Sequence, residues 1–384
     1  MNSQNPQKTI NTTRRSFLKT TVLAAAAPAL IGLIPRVRAQ VANEGKMGVA
    51  LCGLGGFSGA SIAPELPVAK NVYFAGVITG SPETKGKAWA KQYGFSEKNI
   101  FTYADMARLA DCKEIEIVHV VTPNSLHAPH SIAAAQAGKH VMCEKPMATT
   151  PEECEAIIEA AKKAGVMLGV DYRLHFEPHH QEMIRLAQQQ IYGAVKTISS
   201  EFSWHRGNGK PWLLDIKMAG GGTAFDTGVY SVQAGSYITG ETPIRATAVP
   251  TTTRDVYPKG IEETMSFTLE YPGGAVMQGR ASYAYGAENL DVHAEKGTFS
   301  CTGKSFSQSV HGKPSPKKVI LPNGAVENIP DTLQLAVLHD EFASAIRDKR
   351  PFACPGEMGL RDIRILKAIY ESVAQGGKSV PVVA

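Results

Sequence analysis

The chain has 384 residues, 43% hydrophobic and 20% charged, with six cysteines and a formal net charge of +5. That composition excludes a disordered chain, a collagen-like repeat and a disulfide knot, and the length calls for about two domains. The charge is local: Lys8, Arg14, Arg15, Lys19, Arg36 and Arg38 lie in residues 1–39 with no acid among them, leaving 34 of the 40 basic residues against all 35 acidic ones. A nearly neutral body gives no reason to expect a nucleic-acid partner.

Residues 1–39 form a targeting segment. Thr12-Thr13-Arg14-Arg15-Ser16-Phe17-Leu18-Lys19 sets paired arginines before an apolar run over 20–34, and Val37-Arg38-Ala39 precedes a cut ahead of Gln40. The segment resembles a twin-arginine signal peptide, which implies export of an already folded protein to the periplasm. About 15 apolar residues broken by Pro28 fall short of the ~20 that span a bilayer, so no membrane attachment is expected after cleavage. Cys52, Cys112, Cys143, Cys154, Cys301 and Cys354 form no Cys-x-x-Cys and do not group with histidine. Free buried thiols and no metal site are expected.

From residue 46 onward short apolar runs alternate with amphipathic stretches. Strands are predicted over 47–52, 72–78, 115–121, 140–143 and 166–170, and helices over 82–93, 128–137 and 151–164, the last opening on Pro151 and closing at Gly165. This alternation predicts an α/β fold with an N-terminal doubly wound parallel sheet of Rossmann type over 46–170. After residue 171 the texture changes. Helices are predicted at 178–190 and 228–238, then short alternating strands with Gly-Gly and Pro-Gly turns over 244–320, then helices at 333–348 and 356–374. Residues 171–384 therefore read as a second α/β domain with an open, mainly antiparallel sheet.

Gly53, Gly55, Gly56 and Phe57 follow the first strand and open a helical stretch. A glycine turn there lets backbone N–H groups and a helix N-terminus receive a pyrophosphate. The third glycine of that fingerprint falls on Ser58, or on Gly59 by a slip of one. At the end of the second strand, where NAD enzymes carry an acid for the ribose 2′-OH, Thr79, Gly80, Ser81 and Lys85 stand instead. Hydroxyl donors and an ammonium suit a 2′-phosphate, so NADP is expected rather than NAD.

Three further stretches carry a family resemblance: Thr122-Pro123-Asn124-Ser125-Leu126-His127, Met142-Cys143-Glu144-Lys145-Pro146-Met147-Ala148, and Gly220 through Tyr230 with Asp226-Thr227-Gly228 inside it. Together they resemble the glucose-fructose oxidoreductase, inositol dehydrogenase and rhizopine-catabolism (Gfo/Idh/MocA) family. Tyr230, where most members have histidine, and Tyr172 through Pro178 place the nearest likeness in its glucose-fructose oxidoreductase branch. The resemblance implies a sugar oxidoreductase, with oligomers formed through the second sheet. It also implies that Arg173 and His175 line the nicotinamide and sugar pocket, and that Glu144, Pro123, Asn124 and His127, with Thr122, hold the nicotinamide ribose side.

For such chemistry Lys145 is expected to polarise the reacting oxygen, Asp226 to fix sugar and lysine, and Tyr230 to shuttle the proton, its phenol made more acidic by Lys145. Arg173, His175, Lys145, Asp226 and Tyr230 form the expected sugar site. An exported enzyme has no free nicotinamide pool, which favours a retained NADP reduced by one sugar and reoxidised by another. A redox-eliminating glycosidase, a simple aldose dehydrogenase and a non-catalytic sugar-binding protein are the competing readings.

Overall fold

The computed structural model describes residues 43–207 and 211–383; the expected signal peptide lies outside them. The first sheet has strands β1 (Met47–Cys52), β2 (Val72–Ile78), β3 (Ile100–Phe101), β4 (Ile117–Val120), β5 (His140–Glu144) and β6 (Leu168–Asp171), all parallel, in the order β3-β2-β1-β4-β5-β6. These are the apolar runs of the sequence, buried on both faces as a parallel sheet requires. Reversal of strand order at β1 and β4 opens a crevice at their carboxyl ends.

The crossovers carry α1 (Ala63–Glu65) inside a helical run over 58–68, α2 (Lys87–Tyr93), α3 (His127–Gln136) and α4 (Pro151–Ala164). α4 shows why such signals are readable. Thr150 and Glu153 form a reciprocal capping box, Pro151 takes the first turn, and Gly165 closes the helix at φ 67°. The two-residue β3 is too short to leave a periodic signal, and the 3-10 segment Tyr103–Asp111 buries only Met106 and Leu109 at i, i+3 spacing.

Beyond α5 (Pro178–Gln188) the chain enters the second sheet through β7 (Val195–Ser203), followed by α6 (Ile216–Ala219), α7 (Val229–Thr239), β8 (Arg245–Thr251), β9 (Thr264–Glu270), β10 (Val276–Ser282), β11 (Ala287–Ala294), β12 (Gly297–Gly303) and β13 (Lys317–Ile320). After α8 (Gln334–Arg347) and α9 (Gly356–Ala374), β14 (Val380–Pro381) completes the order β13-β12-β11-β7-β10-β9-β8-β14. Every described pair is antiparallel except β7 with β10, so the sheet is mixed. Alternation in β9, where Met265, Phe267 and Leu269 are buried, fixes which face is covered but not strand direction. α7 is buried almost all round between this sheet, α5 and α9, which explains why it carries no charged residue.

Candidate functional site

The glycine loop leaves β1 at Gly53, whose φ is 106° and where a Cβ would stand 2.8 Å from Val121 O. Only glycine fits. Gly55 and Gly56 are exposed with nothing within 4 Å of an added Cβ, so open backbone faces outward at the start of the 58–68 helical run. Ser58, in place of a third glycine, donates its hydroxyl to Gly53 O and closes the loop, while Phe57 packs on the core.

At the end of β2, Thr79 Oγ1 accepts from the Ser81 N–H at 3.1 Å, leaving its own proton to donate. Gly80 lies under the Tyr103 ring, which stacks on His130 at 4.7 Å between centroids; His130 in turn meets Thr122 Oγ1 at 3.3 Å. Lys85 Nζ reaches Leu54 O, 3.5 Å away, and so stands beside the glycine loop. Open backbone, a hydroxyl, an exposed aromatic ring and an ammonium along one crevice fit an adenine dinucleotide.

Four of the residues expected on the nicotinamide and sugar side are turned elsewhere. His127 is 1% exposed, with its ring nitrogens against Thr122 O at 2.8 Å and Pro146 O at 2.9 Å. It ties the end of β4 to the Lys145–Pro146 turn and cannot reach a ligand. Asn124 gives its amide to Ala219 O at 2.8 Å and so joins the two sheets' layers, beside Pro123 at the same turn. The Glu144 carboxyl points into a buried group with His119 and Asp171; burial first, then Asp171, pushes its pKa up. His175 packs on Phe176 and Tyr237 and is not gathered with the others, because its short 3-10 turn aims it two helical turns along α7 from Tyr230.

Lys145, Asp226, Tyr230 and Arg173 do converge. Asp226 lies in the π turn Ala224–Gly228 that runs directly into α7, so it and Tyr230 are four residues apart on one helical face. Lys145, just past β5, crosses to them: Nζ donates to Asp226 O at 2.8 Å, lies 3.9 Å from Asp226 Oδ1 and sits 4.6 Å from the centre of the Tyr230 ring. Burial works against the ammonium, but Tyr230, Asp226 and Glu144 outweigh it and hold Lys145 above the ordinary lysine pKa. It is therefore a fixed cation, not a base. Arg173 lies 4.8 Å from the same ring, its two terminal nitrogens given to Gln334 Oε1 and Phe306 O at 2.6 Å each. With 1% of its surface exposed it supports Tyr230 instead of touching a ligand.

Two supports were not foreseen. Tyr283 Oη donates to Asp226 Oδ2 at 3.1 Å. Glu262 accepts from Gly222 N, Ala224 N and Tyr370 Oη, pinning the turn that presents Asp226. The Gly220-Gly221-Gly222 run is a packing requirement of this turn: a Cβ on Gly221 would stand 2.3 Å from Tyr370 Oη, and one on Gly222 2.5 Å from Glu262 O. Neither support could be found locally, since both come from the sheet side.

Residues 47–172 match the oxidoreductase family with an NAD-binding Rossmann fold, and residues 180–300 match the GFO/IDH/MocA C-terminal domain. The chain is similar to the solved structure of aldose-aldose oxidoreductase from Caulobacter crescentus, with 34% identity, 88% of this chain and 99% of that one covered, and a TM-score of 0.82. It is 31% identical to D-xylose 1-dehydrogenase (NADP(+)) 2 of Haloferax volcanii over 60% of this chain and 69% of that protein. The NADP(+) D-xylose 1-dehydrogenase of Haloarcula marismortui is 24% identical over 87% of this chain and 92% of its own length.

Proposed function

Because the chain belongs to the GFO/IDH/MocA oxidoreductase family, we propose that it is a periplasmic sugar oxidoreductase that retains NADP and passes reducing equivalents from an aldose to a second sugar, ketose or aldose. The observation that carries this reading is the Lys145 ammonium held between Asp226 and the Tyr230 ring at the edge of the dinucleotide crevice. Whole-length similarity to an aldose-aldose oxidoreductase supports the sugar pair, and the NADP(+) xylose dehydrogenases support the cofactor.

Bound nicotinamide supplies the hydride chemistry. Gly53, Gly55, Gly56 and the start of the 58–68 helical run hold the pyrophosphate, while Thr79, Ser81 and Lys85 receive the adenosine phosphate. Lys145 donates to the sugar oxygen that gains or loses its proton, and Asp226 accepts from neighbouring sugar hydroxyls. Tyr230 Oη relays the proton: it passes its own to solvent as it takes that of the aldose hydroxyl when the lactone forms, and the reverse relay protonates the carbonyl oxygen of the second sugar as the polyol forms. Copies of the chain associate through the outer face of the second sheet.

Denaturing the purified protein and identifying the released nucleotide tests the cofactor. Following the nicotinamide absorbance of intact protein after glucose, then fructose or a second aldose, tests the cycle. Reduction at the first addition and reoxidation at the second are expected. No change at either rejects the ping-pong reading, and release of a leaving group without net redox would make the protein a glycosidase instead.

A further inference from the structure

His119 is a histidine in the middle of an apolar strand, and it has company. In register, His119 of β4 pairs with Met142 of β5, and Glu144 of β5 pairs with Asp171 of β6. The two-residue period of a strand therefore places His119, Glu144 and Asp171 on one face of the first sheet. All three are buried, and one ligand atom from each lies within 4.8 Å of the others.

A hydrogen-bond chain from α8 sets the tautomer of His119. Leu335 O can only accept, so His339 Nδ1 is the donor across their 2.7 Å contact. The other nitrogen of the neutral His339 ring, Nε2, then accepts from His119 Nδ1, 3.1 Å away. His119 Nε2 then faces Asp171 Oδ2 at 3.4 Å and Glu144 Oε1 at 3.6 Å, as a lone pair in the neutral ring or as N–H in the charged one. Two buried carboxyl groups gathered on one histidine nitrogen call for a compensating cation, either a proton on Nε2 or a metal ion in its place. Among the described residues neither carboxylate is ion-paired with lysine or arginine, and His119 Nε2, Glu144 Oε1 and both Asp171 oxygens have no hydrogen-bond partner.

The spacing matches a metal. Two nitrogen or oxygen ligands at ~2.1 Å from a tetrahedral ion stand ~3.4 Å apart. We propose that His119, Glu144 and Asp171 bind one divalent metal ion of the zinc class, with Asp171 chelating through both oxygens. His339 orients His119 from behind, as partners of metal-bound histidines do. A dication cancels the two carboxylate charges and joins the carboxyl ends of β4, β5 and β6. Glu144 Oε2 remains free to accept the Lys145 N–H at 3.2 Å, so the ion steadies the backbone that carries the lysine and has a structural role.

Elemental analysis of the full-length protein, grown with added zinc and passed over a column in EDTA, tests this. About one zinc per chain is expected, released to a colorimetric chelator only on unfolding, and lost in His119→Gln and Asp171→Asn proteins that keep native circular dichroism. X-ray absorption at the zinc edge of the unaltered protein should report nitrogen and oxygen ligands without sulfur, which does not depend on any variant folding. Native protein with no zinc above the buffer blank, also after refolding with zinc sulfate, overturns the proposal and leaves protons as the cluster's cations. Full zinc content in both folded variants, or sulfur ligation, overturns it too.

Discussion

Tyr283 donates its phenol proton to Asp226 Oδ2 across 3.1 Å, although the two stand 57 residues apart. Tyr283 is fully buried; burial first, then Asp226, keeps its pKa well above the ordinary range, so the phenol stays protonated and remains a donor. The bond occupies Oδ2 and leaves Oδ1 as the Asp226 oxygen open to a sugar in the proposed site. Tyr283→Phe removes a hydrogen bond to a charged group and should lower kcat/KM roughly tenfold or more, with Asp226 free to rotate. Steady-state kinetics beside a nucleotide-content assay checks it. Unchanged kinetics, or loss of nucleotide with unchanged folding, would place Tyr283 outside the sugar site's support.

Lys145 carries a sharper expectation. Its ammonium donates to the Asp226 backbone oxygen and lies over the Tyr230 ring, and no pH in the ordinary range discharges it, because its pKa lies above that of free lysine. Lys145→Met should cost roughly 100- to 1000-fold in kcat, the scale of one lost transition-state donor. Nucleotide should remain bound, since the glycine loop is untouched. Activity should show no acidic-to-neutral limb assignable to this lysine, which a pH profile of the unaltered enzyme reads directly.

Asp226 and Tyr230 are legible together because one helix sets them four residues apart, and Lys145 is legible because it follows a strand at a motif. Tyr283, Glu262 and Tyr370 are invisible to such reading, since sheet pairing and helix docking bring them in from distant segments. The types at Glu144, His127 and Arg173 were readable but their directions were not: each turns inward to satisfy a neighbour that only the tertiary structure supplies. His119 was missed for the opposite reason. A single histidine in an apolar strand is a local anomaly, and its meaning appears only when three strands align.

Lys85 should decide between the two dinucleotides. Its Nζ stands beside the glycine loop, and no carboxylate occupies the end of β2 to repel a 2′-phosphate. Lys85→Ala should weaken NADP roughly tenfold by removing one charge-assisted bond while leaving NAD nearly unchanged. Calorimetric titration of protein stripped of nucleotide measures both. An equal loss for both dinucleotides would assign Lys85 to the pyrophosphate instead.

His180 gives stability a pH dependence. Its ring is buried beside Phe306 with Nε2 donating to Ser305 O at 2.7 Å; burial dominates, and the cations Lys317 and Arg173 add to it, against Glu177 and the Ser305 contact, bringing the pKa down to about 4. Native His180 is therefore neutral where the unfolded chain, near pH 6.5, takes up a proton. The unfolded state binds more protons between these values, so this contribution is complete above about pH 6.5 and is lost as pH falls toward 4. Denaturant unfolding of the unaltered protein and of His180→Gln, compared at pH 7.5 and pH 5, measures it. The stability difference between the two should shrink at the lower pH, because glutamine keeps a donor but has no proton to gain; a constant difference would mean that His180 takes up its proton at the same pH in the native and unfolded chains.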